Sequence, residues 1–120
     1  MIGFTPSQRY YLSRQPADMR KSYDGLSGLV RQGLGRDPLS GEVFIFMNRR
    51  RTLVKLLVWD RSGFVLWSKR LERGTFELPG STAVGASIIL GWEELVLILE
   101  GVSLGSVRRR MRYSRVQAAA

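Results

Sequence analysis

The sequence contains neither cysteine nor histidine in its 120 residues. The missing cysteine excludes a disulfide framework, a thiolate nucleophile and a zinc–thiolate site, and the missing histidine removes the commonest general base and metal ligand. It also has no uninterrupted apolar run of membrane-spanning length and no basic N-terminal region followed by an apolar one. We therefore expect a cytoplasmic protein that uses no cofactor or metal and has no contact with a membrane.

Acidic residues are scarce relative to basic ones. Lys and Arg number 19 against 10 Asp and Glu, so the formal net charge is +9 and the sequence pI is near 11.0. Residues 1–107 carry +4 and residues 108–120 carry the remaining +5. This excess points to a polyanionic partner such as nucleic acid. The length and the 44% hydrophobic content fit one α+β domain over residues 1–107 and a disordered basic tail over 108–120.

The first third of the chain predicts an extended segment followed by a helix. Residues 8–15 are rich in aromatics, which favours a strand or an extended arm. After Pro16, Asp18 is suited to cap a helix, and an ion pair between Arg20 and Asp24 would lie on its surface. Apolar residues then recur at spacings of three and four, as one helical stripe requires. They are Met19, Tyr23, Leu26, Val30 and Leu34.

From residue 42 the pattern changes to β-rich runs. "EVFIFMN", "TLVKLLVWD", "GFVLWSKRL" and "TFELP" are separated by short polar segments, which predicts three or four antiparallel strands in a meander, with the helix packed on it. The turn after Asp60 contains Gly63, which suits a positive φ. The first two runs are almost wholly apolar, so they are central strands covered on both faces or strands with one face kept for a partner.

A second helix is predicted after a linker of small residues at 79–87. Glu93 and Glu94 suit its first turn, and Gly101 would end it. Its apolar side chains run almost all the way round, so this helix is either sandwiched inside the fold or docks a second chain. The residues predicted for such docking are Trp92, Leu95, Val96 and Leu99.

Three consecutive arginines, Arg49, Arg50 and Arg51, lie between the first two β-rich runs. At a hairpin tip, three guanidinium groups could pair with DNA phosphates, a geometry that suits Arg better than Lys. The alternative is that the charges only keep neighbouring apolar strands soluble. Further basic residues on the same meander favour nucleic acid. They are Lys55, Arg61, Lys69, Arg70 and Arg73.

Two other features carry weaker nucleic-acid signals. Trp59 and Trp67 lie on adjacent predicted strands and either form a base-stacking surface or belong to the core. The tail arginines either wrap phosphates or contribute only general charge. Those assigned to DNA binding are Arg108, Arg109, Arg110 and Arg112.

A carboxylate nuclease site is disfavoured by spacing. Asp18 and Asp24 would be the first candidates, but six residues on a helix separate their directions by about 240°, so the two do not share a face. No catalytic residue is predicted.

Three strings carry a resemblance to a known family: "DMRKSYDGLSGLV" at 18–30, "DPLSG" with "VFIFMNRRR" at 37–51, and "WDRSGF" with "KRLERGTFELP" at 59–79. In this order they resemble the TnpB-type accessory proteins, also called Orf2 proteins, of the insertion sequence 66 family of bacterial transposable elements. The resemblance implies a non-catalytic role in transposition beside a separate transposase that cuts the DNA. DNA, most simply the ends of the element, is the implied nucleic acid.

Two other functions stay open at this point. The chain could act as an adaptor, docking transposase or a second copy of itself through residues 92–100 without touching DNA. An RNA-binding role fits the charge but not the resemblance.

Overall fold

The computed structural model describes residues 4–80 and 84–101 of the chain. Its elements, in chain order, are strand β1 (Tyr10–Ser13), helix α1 (Tyr23–Gln32), strands β2 (Val43–Met47), β3 (Leu53–Asp60), β4 (Gly63–Arg70) and β5 (Ser87–Leu90), and helix α2 (Trp92–Glu100). The α+β class predicted from the sequence is confirmed.

The strands form one mixed sheet of five strands in the order β4-β3-β2-β1-β5. β1 runs parallel to β2, with Tyr10 opposite Val43, and every other neighbouring pair is antiparallel. The prediction of a three- to four-stranded antiparallel meander was therefore wrong for the sheet as a whole. The N-terminal segment is an inner strand of the sheet, and β5, which was not predicted, pairs with its other edge.

The apolar runs of β2 and β3 are explained by helices on both faces of the sheet. All five residues of β2 are buried. Val43, Ile45 and Met47 pack in the core beneath α2, whereas Phe44 and Phe46 pack in the core beneath α1. Successive side chains of a strand alternate between faces, so a strand covered on both sides loses its polar residues. Of the two interpretations of these runs, central strands covered on both faces is the one confirmed.

Helix α1 begins four residues later than the sequence predicts. Its N-cap is Ser22, and Leu26 and Val30 form its buried stripe. The Asp18 carboxylate instead accepts hydrogen bonds from the backbone N–H of Arg20, at 2.9 Å, and from the Arg20 guanidinium. This local ion pair replaces the predicted pair between Arg20 and Asp24, and it lowers the pKa of Asp18 to about 2. Asp18 thus belongs to the turn before the helix.

Helix α2 lies on the opposite face of the sheet from α1. Leu95, Ile98 and Leu99 are buried. They belong to one hydrophobic core with buried side chains of β1, β2, β3 and β5. Gly101 follows the helix with φ 77°, a left-handed conformation that glycine adopts without steric cost, and its N–H bonds to the Ile98 carbonyl at 3.0 Å. The helix is therefore part of the core.

Strands β3 and β4 join in a tight hairpin at Asp60 and Gly63. The positive φ of this turn falls on Arg61, at 50°, so the prediction that Gly63 adopts it was wrong. The side chains of β4 alternate between the two faces of the sheet: Phe64 and Leu66 pack toward α1, whereas Trp67 and the following Leu71 pack toward α2.

Candidate nucleic-acid interface

The three consecutive arginines form the tip of the hairpin that joins β2 to β3. Arg49 and Arg50 are exposed, and Arg51 is half-buried. Arg51 adopts φ 58°, the left-handed region that non-glycine residues rarely enter. The tip is therefore a defined turn of the backbone, from which two guanidinium groups extend into solvent.

Asn48 organises the backbone of this tip. Its side-chain Oδ1 accepts hydrogen bonds from the N–H groups of Thr52, at 2.8 Å, and Leu53, at 3.0 Å. Its Nδ2 donates to the Thr52 hydroxyl at 2.9 Å, and its carbonyl accepts from the N–H of Arg51 at 3.0 Å. One amide side chain thus fixes the path of residues 48–53.

Replacing Asn48 with alanine is expected to lower the free energy of unfolding by about 1–3 kcal/mol, because two part-buried N–H groups lose their acceptor. Denaturant unfolding measures this loss. Asn48→Asp is the matched control, because a carboxylate keeps the oxygen that accepts both hydrogen bonds and loses only the amide donor. Equal destabilisation by the two variants would contradict the role assigned to Oδ1.

The segment after β4 returns to the same tip. The N–H of Leu71 donates to the Thr52 carbonyl at 2.8 Å, and the N–H of buried Phe76 donates to the Arg51 carbonyl at 2.7 Å. Arg70, at the end of β4, precedes this return, and Arg73 lies within it; both are exposed. Arg70 also pairs with Glu72 at 3.4 Å on the open surface, where such a pair is weak.

The parallel pairing of β1 and β2 brings a further arginine to this end of the sheet. Both strands end on this side of the sheet. Arg14 directly follows β1, and the arginine tip follows β2, so the two lie at the same end. Ligands of sheets with parallel strands commonly bind at the carboxyl ends of the strands. We call this cluster the basic edge; it consists of Arg14, Arg49, Arg50, Arg51, Arg70 and Arg73.

Arg14 was missed from the sequence. Arg14 lies near the end of the predicted extended segment at 8–15, and that position points to a site only when the strand is known to end at Ser13 and to run parallel to β2.

A groove of about 280 Å³ opens on the basic edge. It lies between the residues that follow β1 and the arginine tip, and Leu78 closes one side. Its lining comprises Ser13, Arg14, Gln15, Pro16, Met47, Asn48, Arg49, Arg51 and Leu78. Arg50, by contrast, lies outside the groove.

Two lysines predicted to contact DNA have structural partners. The Lys55 ammonium donates to the carbonyls of Met19, at 2.8 Å, and Lys21, at 2.9 Å, which ties β3 to the turn before α1. The Lys69 ammonium donates to the Leu99 carbonyl at 2.8 Å, at the C-terminal end of α2, where a positive charge favours the helix dipole. We leave both lysines out of the basic edge.

Other predicted DNA-contacting residues are not brought to the basic edge. Arg61 is exposed in the β3–β4 hairpin, at the opposite end of an eight-residue strand, about 25 Å away at the usual rise per residue. The tail residues Arg108, Arg109, Arg110 and Arg112 lie outside the described residues.

The two tryptophans do not form a shared stacking surface. Trp67 stands opposite Leu56 and packs in the core beneath α2. Trp59 stands opposite Phe64, which packs toward α1, and the two rings meet edge to face at 5.1 Å. Residues paired across antiparallel strands share a face, so Trp59 and Trp67 point to opposite sides of the sheet.

The family model described as "IS66 Orf2 like protein" matches residues 8–109, a span that contains the whole basic edge. The chain belongs to this IS66 Orf2-like family. The resemblance found in the sequence is thereby confirmed.

Two relatives of this IS66 Orf2-like chain come from Sinorhizobium fredii (strain NBRC 101917 / NGR234). The uncharacterized protein y4jC is 33% identical over 110 residues, which cover 92% of each chain. The uncharacterized protein y4hO is 31% identical over 116 residues, covering 97% of this chain and 99% of the relative. No solved structure matches the chain.

The residues predicted for docking on α2 are mostly committed to the fold. Leu95 and Leu99 are buried against the sheet, so they are unavailable to a partner while the chain is folded. Trp92 and Val96 are half-buried, and the Trp92 ring lies 5.8 Å from the ring of Tyr10. Burial within one chain explains the apolar face formed by Leu95, Ile98 and Leu99.

Within residues 4–80 and 84–101, no group of three or more Asp or Glu side chains is placed to hold a metal ion. In the same described part of the IS66 Orf2-like chain, no helix is long and apolar enough to cross a membrane.

Proposed function

We propose that this IS66 Orf2-like protein is a non-catalytic accessory protein of DNA transposition, which binds DNA through the basic edge and assists a separate transposase. Family membership supports the transposition role. In this proposal the exposed Arg49, Arg50, Arg70 and Arg73 pair with phosphates. The tail arginines at 108–112 add further contacts along the same DNA.

The observation that carries the proposal is the convergence of six arginines at one end of the sheet. They come from three separate parts of the sequence, after β1, after β2 and around the end of β4. Like charges repel, and the surface ion pair between Arg70 and Glu72 offsets that repulsion only weakly, so a bound anion would stabilise the cluster further. Phosphates along a DNA strand supply negative charges that would neutralise such a cluster.

The solubility interpretation of the arginine tip fits the topology less well. Charged residues protect a sheet from aggregation when they lie on its edge strands. β2 and β3 are inner strands, whereas the edges are β4 and β5. The tip therefore adds positive charge where no exposed strand edge needs it.

The adaptor interpretation loses two of the four residues on which it was based, because Leu95 and Leu99 are buried, whereas Trp92 and Val96 are half-buried. A contact with transposase is still part of the proposal, and we assign no surface to it. The RNA interpretation gains no support from the family.

A gel-shift titration over a salt series tests the proposal directly. The probes are DNA from the element's ends, unrelated duplex DNA and single-stranded DNA, each run with and without transposase, and with RNA as a competitor. For duplex DNA we expect binding whose affinity falls with a log–log slope of about −4 to −5, as for four to six phosphate contacts. Absence of binding to every DNA near physiological salt, also with transposase present, would overturn the proposal.

A further inference from the structure

The groove on the basic edge differs from the rest of that surface because it is concave and mixed in character. Arg49 and Arg51 lie on one wall. Pro16 and Leu78 supply apolar surface, and Leu78 is 41% exposed. The Asn48 side chain, although it lines the groove, already satisfies the backbone of the tip. The groups available to a ligand are thus guanidinium donors beside apolar side chains.

A second, smaller hollow adjoins the groove. Its volume is about 80 Å³, and it shares Ser13, Gln15 and Pro16 with the groove. The remaining lining is mostly apolar: Ala17, Leu29, Gly33, Leu34, Phe46 and Ala86. Phe46 and Met47 point to opposite faces of β2, so the smaller hollow lies on the α1 side of this end of the sheet, and the groove lies on the α2 side.

Size and chemistry limit what this surface accepts. Sites for small molecules usually begin at about 300 Å³, so a groove of about 280 Å³ suits one nucleotide-sized group. A duplex is far too wide to enter and would meet only the exposed rim. The arginines suit an anion, and the apolar side chains beside them suit a flat or apolar group. A nucleotide combines the two, as a phosphate joined to a sugar and a base.

We propose that the groove takes one unpaired nucleotide of a DNA strand. Its phosphate would lie on Arg49 and Arg51, and its sugar and base against Pro16 and Leu78. This inference rests on the proposed function, and it narrows the substrate to DNA that has a single-stranded end or a separated terminal pair. The exposed Arg50 lies outside the groove and would contact phosphates of the neighbouring duplex.

The test compares two probes at equal salt by fluorescence anisotropy: a blunt duplex, and the same duplex carrying a three-nucleotide overhang with a 5′-phosphate. The intact protein should prefer the overhang by on the order of tenfold, as expected for added charged hydrogen bonds and apolar contact. Arg51→Asn should remove the preference, and asparagine tolerates the left-handed backbone at this position. Leu78→Glu should remove it by replacing the apolar contact to the sugar and base with a negative charge.

Two control variants keep the test specific. Leu39→Glu makes the same exchange on a leucine of similar exposure, 45%, which lies in the loop that leads into the start of β2, away from the groove. This variant should leave the preference for the overhang intact. Arg50→Ala should lower the affinity for both probes by the same factor. Thermal unfolding of each variant excludes loss of fold as the cause.

Equal affinity of the intact protein for the two probes would overturn the inference and leave the proposed function standing. A preference that survives both Arg51→Asn and Leu78→Glu would also overturn it, because the unpaired nucleotide would then bind elsewhere. Failure to bind either probe contradicts the inference together with the proposed function.

Discussion

Replacing Arg49 and Arg50 together with alanine is expected to lower DNA affinity by on the order of a hundredfold near 0.15 M salt, since each charged hydrogen bond contributes about 1.5–3 kcal/mol. Both side chains are exposed at the hairpin tip, and the backbone there is held by Asn48, so the fold should be unchanged. The slope of log affinity against log salt should fall by about two, because two phosphates are no longer neutralised by the protein.

Arg61 provides the matched control for this prediction. It is an exposed arginine in a tight hairpin, but at the other end of β3. Arg61→Asn removes one charge while suiting the positive φ of that residue, and it should leave both affinity and salt slope close to those of the intact protein. If Arg61→Asn weakens binding as much per charge as the double variant does, general charge would explain the affinity, and the basic edge would not.

The class of the fold could be predicted from the sequence because periodicity records burial. The wholly apolar run that became β2 indicated a strand in a sheet. The parallel pairing of β1 was not predictable in this way, because a four-residue strand looks the same whether its neighbour runs parallel or antiparallel. Only the crossover through α1 determines that direction.

The start of α1 was misplaced for a local reason. Asp18 is a good N-cap residue, and the sequence pattern alone favours it. Its carboxylate binds the N–H and guanidinium of Arg20 in a turn, and such local bonds compete with helix formation. Lys55 then reaches across from β3 to the carbonyls of Met19 and Lys21 in this turn, a tertiary contact that no sequence spacing records.

The candidate site was predictable in part. Consecutive arginines between two apolar runs indicated a charged hairpin tip, and the structure has that tip between β2 and β3. Which other charges join it depends on strand direction: Arg14 and Arg73 come to the same end, and Arg61 goes to the other. Net charge indicates the kind of partner, whereas the direction of the strands determines which basic residues lie close enough to contact that partner at the same time.

Leu95→Ala is expected to lower the free energy of unfolding by about 2–5 kcal/mol, the usual range for truncating a fully buried leucine. Leu95 packs in the core beneath α2 with Ile98 and the side chains of β1, β2 and β3, so its truncation leaves a cavity that the surrounding side chains fill only partly. Denaturant unfolding followed by circular dichroism measures the change. Leu95→Asp places a charge in the same site and should prevent folding.

Glu93→Ala is the control on the same helix, because Glu93 is exposed in the first turn of α2. Its effect should be within about 1 kcal/mol, the usual range for a charge near a helix N-terminus. The comparison separates a core helix from a docking helix, since a docking leucine is exposed in the free chain and its truncation costs little stability. If Leu95→Ala left the unfolding free energy unchanged but released transposase from the complex, α2 would be the partner-binding surface and the adaptor function would replace DNA binding as the better account.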